Sequence, residues 1–329
     1  MRPFIYLLGF VFCCMNCEKA FISSAAITPQ FVFDEMWREL DENYIYFDVK
    51  SVDWDSIYNV YAPRVQADIS DEDLFNVCVE MLEELRDGHN SLFSPATDDV
   101  KYPFKEGFPI FFDLEIIKSE YLNDDFKEIG NYTFGMLQND IAYVYFRDFE
   151  KVRDITEVMS FVNDNDAKAL IFDIRNNGGG VGQDAEDIIS YFINSPQTVG
   201  FIVEKTGPNR DDISENLSIT AEPTDFFFEK PVHFLMNRGS YSASTYLAAM
   251  IKDLPQVKTI GQITGGGGGG NNSFYLPNGW VLTMSVNKLL DTNLEEVEEG
   301  IEPDIEIIND SLSLVNRTDL MLEKAIEEF

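Results

Sequence analysis

The sequence predicts an α/β core of repeated strand–helix units behind a small N-terminal helical unit, and three observations carry that expectation. Ala169-Leu170-Ile171-Phe172-Asp173-Ile174 is a nearly continuous apolar run, as expected of a parallel strand buried on both faces. Strand-like and helix-like segments alternate from residue 133 to residue 260, the pattern of strand–helix units. Residues 31–86, by contrast, carry apolar side chains at helical spacing.

In chain order, Phe33, Met36, Trp37, Leu40 and Tyr44 mark a first helix. Asp53-Trp54-Asp55 opens a second, with Ile57, Val60 and Tyr61 on one face. Ser70 suits the N-cap of a third, whose stripe is Leu74, Val77, Met81, Leu82 and Leu85 and whose stop is Gly88. Cys78 falls on that apolar face, as a core residue would. Residues 108–117 suggest a strand pair around Pro109. Strands are expected over 133–137, 141–146, 169–174, 198–203, 232–236 and 257–260, and helices over 155–162, 184–194, 242–254 and 320–326. Pro255 ends the helix before it. Pro277-Asn278-Gly279 turns a hairpin between 274–276 and 281–286. The domain division expected is 1–20 signal, 28–93 helical domain and 94–329 core.

Bulk properties narrow the function. Of 329 residues 45% are hydrophobic and 13% aromatic, enough for one large or two ordinary domains. The net charge of -34 argues against nucleic acid or an anionic membrane as partner. Arg2 followed by a short apolar stretch over 4–12 reads as an export signal. Cys13, Cys14 and Cys17 follow it, and Cys17-Glu18-Lys19 would suit a lipidated N-terminal Cys17 of an envelope lipoprotein; plain secretion is the other reading. Removal of the signal then leaves Cys78 without a partner for an intramolecular disulfide.

Three stretches could carry chemistry. Asn237-Arg238-Gly239-Ser240-Tyr241-Ser242-Ala243-Ser244 lies between a strand and a helix, which puts a Ser at a corner beside the positive end of the helix. Small residues at an ordinary N-cap fit it equally well. The glycines 178–180 follow a buried strand and precede a helix. Their N–H groups could bind an oxyanion, but the Lys-Ser/Thr of a phosphate loop is missing. There are two histidines: His233 sits mid-strand as a core residue, and His89 sits in a polar corner where a base could be displayed. Glu295, Glu296, Glu298 and Glu299 form an acidic cluster from which an orienting acid could come.

Together, Asp173-Ile174-Arg175-Asn176-Asn177-Gly178-Gly179-Gly180, the Ser240-Tyr241-Ser242-Ala243-Ser244 turn and Gly300-Ile301-Glu302-Pro303-Asp304-Ile305 resemble the tail-specific (C-terminal-processing) serine proteases. Leu85-Arg86-Asp87-Gly88-His89 is similar to their tricorn-core and retinoid-binding-like branch. The resemblance spans roughly residues 30–310 and implies a crotonase-like core. It implies Ser242 as nucleophile, His89 as general base and Glu299 as orienting acid, with Glu298 the neighbouring choice. The backbone N–H groups of Ala243 and Gly179 would bind the oxyanion, with Gly180 as the alternative. Gly267 stands where the processing-protease branch places its general-base Lys, so a Ser–Lys dyad is not expected. The forty-odd residues between His89 and the strand at 133 leave no room for a PDZ module.

The function expected is an exported serine peptidase acting on peptide or protein tails, needing neither metal nor cofactor. A non-catalytic binder of peptides or apolar ligands on the same fold is the alternative, and an acyl-CoA enzyme is third. The run 265–270 could be a mobile lid over the cleft or a solvent loop.

Overall fold

A computed structural model describes residues 27–329 except 105, 106, 110 and 151–153, so the stretch expected to be an export signal and Cys13, Cys14 and Cys17 lie outside the described residues. The chain forms an α/β core with a small helical region at its N-terminus. The helical region comprises Pro29–Asn43, Trp54–Tyr61 and Asp71–Glu83, with a short helix Phe47–Lys50 between the first two. Thr28, Asp53 and Ser70 cap the three longer helices, each side chain accepting a backbone N–H of the first turn. Their apolar stripes close on Trp54, Phe33, Met36, Cys78 and Met81, all fully buried. That cluster continues into Trp280, Leu282 and Met284, so the helices share a core with the later hairpin.

The central sheet has seven strands in the order 305–306, 257–261, 232–236, 169–173, 141–146, 132–136 and 126–129. The first five run parallel. The last two pair antiparallel. Ala169–Asp173 and Val232–Met236 are buried at every position, which explains why both are largely apolar. Phe146, Phe172, Phe192 and Phe234 pack ring against ring on one face.

A four-stranded antiparallel sheet, ordered 271–275, 281–285, 91–94 and 99–101, ties the helical region to the core. Ser91–Ser94 begins two residues after His89 and pairs with the hairpin through Ser91 opposite Thr283 and Phe93 opposite Val281. The sheet thereby fixes where His89 stands, and the sequence signal for these short strands is weak.

The strand pair expected over 108–117 is absent among the described residues of that stretch. Asp113 accepts the N–H of Glu115 and caps a short helix, Leu114–Ile116, which continues as a wider turn over Ile117–Tyr121. The local Asx cap outcompetes extended pairing there. The helix expected over 184–194 is Gln183–Ile189. His233 is a core residue: its Nδ1 lies 2.8 Å from the Ala325 carbonyl and its ring stacks on Phe329.

Candidate active site

Ser242 caps the helix Ala243–Ile251 with φ 57° and ψ -118°, a conformation that is strained for a residue with a side chain. The corner is held from both sides. Tyr241 N–H donates to the Asn177 carbonyl, and Ser242 N–H to the Gly266 carbonyl. Gly179, at φ +90°, lies against the turn so closely that a Cβ there would sit 2.8 Å from Ser242 Cβ and 2.9 Å from Ala243 N. Only glycine satisfies both the angle and the approach.

The three serines of the turn separate by their partners. Ser240 Oγ donates to the Ile174 carbonyl and Ser244 Oγ to the Asn177 carbonyl; both residues are fully buried. Ser242 Oγ lies 3.0 Å from His89 Nε2. The strand–turn–helix therefore aims one hydroxyl outward and uses its neighbours to bind the glycine motif. Asn237 reinforces that seam: its Oδ1 accepts Asn176 N–H and Gly239 N–H, and its Nδ2 donates to Asn176 Oδ1.

His89 is held by Asp87, whose Oδ1 accepts the His89 N–H at 2.8 Å while Oδ2 accepts Ser285 Oγ at 2.8 Å. Burial lowers the His89 pKa below the ordinary histidine range. Asp87 pulls it up, and Lys50 pushes it down. The imidazole is accordingly neutral at neutral pH, the state in which Nε2 can accept a hydroxyl proton.

The acidic cluster is arranged differently from expectation. Glu299 is 72% exposed and pairs with Lys50 Nζ at 2.7 Å; it makes no hydrogen bond to His89. Lys50, the buried last residue of the short helix Phe47–Lys50, is its partner. Glu298 is the buried one: Oε1 pairs with Lys50 at 2.9 Å and Oε2 accepts Gly268 N–H at 2.9 Å. Burial, then Asp87, raise its pKa to about 7, while Lys50 and the Gly268 N–H oppose the shift. Of the expected oxyanion donors, Gly179 N–H is already bound to Asn177 Oδ1 at 2.9 Å. Its neighbour differs: in the parallel bridge with Phe149 the bonding groups are Gly179 O and Val181 N, which turns the Gly180 N–H away from that bridge. Ala243 N–H, at the first position of its helix, has no acceptor within that helix.

The run 265–270 is neither a lid nor a solvent loop. Gly266 and Gly267 have φ +83° and +73°, and added Cβ atoms would lie 2.1 Å from the Glu298 carbonyl oxygen and 2.4 Å from the Tyr241 ring. Residues 266–269 are buried. They form the packed floor between nucleophile turn and acidic segment, and the Tyr241 ring takes the space a side chain at 267 would need.

A cleft of about 900 Å³ opens beside the pair and includes Gly88, Tyr241, Gly178 and Glu298 in its lining. Tyr102, Phe104 and Phe108 give it an apolar part, and Lys50, Arg86 and Arg238 a cationic one. Arg86 donates to the Lys50 carbonyl and meets no carboxylate at ion-pair distance among the described residues. Asp87, Lys50, Arg86 and Tyr241 were not legible as site residues. The signal available was an Asp two residues before a His across a glycine, which favours an Asx turn.

A hydroxyl on a strained strand-to-helix corner, a neutral histidine at 3.0 Å and unpaired N–H groups beside it make up the arrangement on which serine hydrolases are built. The chain belongs to peptidase family S41, the tail-specific proteases: residues 140–307 match the model of Peptidase family S41, and residues 28–83 match that of the Tricorn protease C1 domain. A crystal structure of a peptidase candidate from Parabacteroides merdae is 33% identical, covering 91% of this chain and 96% of that one, with TM-score 0.84. A carboxy-terminal processing protease of Bacillus subtilis is 24% identical over 172 residues, 51% of this chain and 34% of that protein. A chloroplastic carboxyl-terminal-processing peptidase of Arabidopsis thaliana is 26% identical over 155 residues, 46% of this chain and 28% of that protein. The match thus spans about a third of the length of these curated relatives. The photosystem II D1 C-terminal processing protease shares the fold at TM-score 0.60 and 16% identity, over 86% of this chain and 94% of that one.

Proposed function

We propose that the protein is a serine peptidase acting on the carboxyl ends of peptides or proteins, with Ser242 as nucleophile and His89 as general base. The observation that carries this reading is the 3.0 Å contact between Ser242 Oγ and His89 Nε2 across the interface of helical region and core. In the reaction proposed, His89 takes the hydroxyl proton as Oγ attacks the scissile carbonyl, and returns it to the leaving amine. The oxyanion is met by Ala243 N–H together with Gly180 N–H, each donor worth on the order of 3 kcal/mol. Of the two glutamates expected as orienting acid, Glu298 is buried and held by Lys50 and Gly268 N–H, and Glu299 is turned to solvent. The same 3.0 Å contact counts against a purely binding role, since a binder has no need of it. Arg2, the apolar stretch over 4–12 and Cys17 support export to the cell envelope or beyond.

A fluorophosphonate should label wild type at Ser242, label Ser242→Ala not at all and label His89→Ala far more slowly. Equal labelling of His89→Ala and wild type would remove the assigned base. The cleft also suggests how a tail is gripped: Arg86 is a guanidinium without an acidic partner among the described residues, suited to a terminal carboxylate. Arg86→Ala should raise KM roughly tenfold for a free-acid peptide, the value of about one charged hydrogen bond. The C-terminally amidated peptide should be unaffected. An equal change for both peptides would eliminate Arg86 as the anchor.

A further inference from the structure

His89 has a second nitrogen that Ser242 does not use. Its Nδ1 is buried and has no partner among the described residues. Tyr241 Oη and both polar atoms of the Asn90 side chain are likewise buried without partners. These groups belong to one place. The Tyr241 ring lies 5.1 Å from the His89 ring, and its hydroxyl oxygen would lie 2.7 Å from a Cβ at Gly88. The phenols of Tyr44 and Tyr241 both face Asp87 and Glu298. Asn90 N–H donates to the Asp87 carbonyl. Buried polar atoms are seldom left unmet, and several of them around one point are what ordered solvent bridges.

Two carboxylates border this pocket, and they are differently committed. Glu298 has Lys50 on one oxygen and Gly268 N–H on the other, so its charge is offset by a cation at 2.9 Å. Asp87 is 1% exposed and meets no cation at ion-pair distance among the described residues. Its oxygens accept from His89 N–H and Ser285 Oγ, and a carboxylate has lone pairs for further donors.

We propose that Asp87 is the positioning carboxylate of His89. It holds the His89 backbone directly and, through buried solvent shared with Tyr241 and Asn90, keeps the imidazole proton on Nδ1 so that Nε2 faces Ser242 as acceptor. This rests on the Ser242–His89 reading above. The late-segment Glu298 then serves chiefly to anchor Lys50 and the 265–270 floor. Of the groups around His89, Asp87 raises its affinity for a proton, Lys50 lowers it and the Tyr241 ring lies beside it; Glu298 and the phenols of Tyr44 and Tyr46 border Asp87.

The chain has two histidines, so ¹⁵N-imidazole NMR of histidine-labelled protein resolves His89 against His233 as an internal reference. Asp87→Asn retains an acceptor for the His89 N–H and removes the charge. It should lower the His89 titration midpoint by roughly one pH unit or more, leave His233 in place and slow fluorophosphonate labelling at pH 7 by about 10- to 100-fold. Glu298→Gln should move the midpoint less. An unchanged midpoint in Asp87→Asn, or a larger shift in Glu298→Gln, overturns the assignment. Should Asp87→Asn not fold, the wild-type tautomer decides: an exchange-protected proton on Nδ1 supports the proposal, and one on Nε2 refutes it. Absence of wild-type labelling would defeat the peptidase reading, while the titration would still decide the role of Asp87.

Discussion

Ser242→Ala should lower kcat on a tail peptide by at least ~10⁴-fold, with His89→Ala within about an order of magnitude of it and the double variant no worse than either. Non-additivity is the informative part. Each residue is useless for attack without the other, because the hydroxyl needs Nε2 as proton acceptor at 3.0 Å. The flanking serines provide the contrast. Ser240→Ala and Ser244→Ala remove hydrogen bonds to the Ile174 and Asn177 carbonyls, and these should be read in stability rather than in chemistry. Single-turnover kinetics on the five variants checks this; full additivity of Ser242→Ala and His89→Ala would mean that the two do not act as a unit.

Arg175→Ala should destabilise the fold by about 3–5 kcal/mol, a large share of the whole stability of a domain. Arg175 is fully buried, as is Asp173, and Asp319 is 1% exposed. The guanidinium spans the two carboxylates, from Nε and Nη2 to Asp173 and from Nη1 to both oxygens of Asp319. Tyr143 Oη also donates to Asp173. Removing the cation leaves two carboxylates inside the protein with nothing to balance them. Urea unfolding should show the midpoint fall with an unchanged slope, and Asp319→Asn added to Arg175→Ala should recover part of the loss. A loss below about 1 kcal/mol would contradict a tightly held triad. The same change should loosen the nucleophile corner, because Asn176, Asn177 and Gly179 follow directly on this anchor.

The motif around Asp173 shows how far the sequence could be read. Its strand and glycines were legible because burial on both faces leaves an unbroken apolar run and positive φ leaves glycine. That Arg175 was an internal anchor rather than a surface charge was not legible, since its partner Asp319 lies 144 residues away. The strand pair expected over 108–117 failed for a local reason, the Asp113 cap, which competes with extended pairing without changing the apolar pattern. Gly267 was legible as the absence of a Lys. The packing of Tyr241 into that space, which fills the floor, was not.

By itself the sequence determined the order of elements, the strand–turn–helix corner carrying Ser242 and the polar corner carrying His89, because periodicity, caps and glycine conformations are local properties. Only the tertiary structure decided which groups meet. It turned Glu299 to solvent on Lys50, buried Glu298, set Ser285 on Asp87 and brought His89 to Ser242. Those outcomes depend on the pairing of Ser91–Ser94 with Val281–Ser285 and on where Lys50 lands, contacts nearly two hundred or more residues apart in sequence. Spacing along the chain carries no record of which of four neighbouring glutamates a buried lysine from the other end will hold.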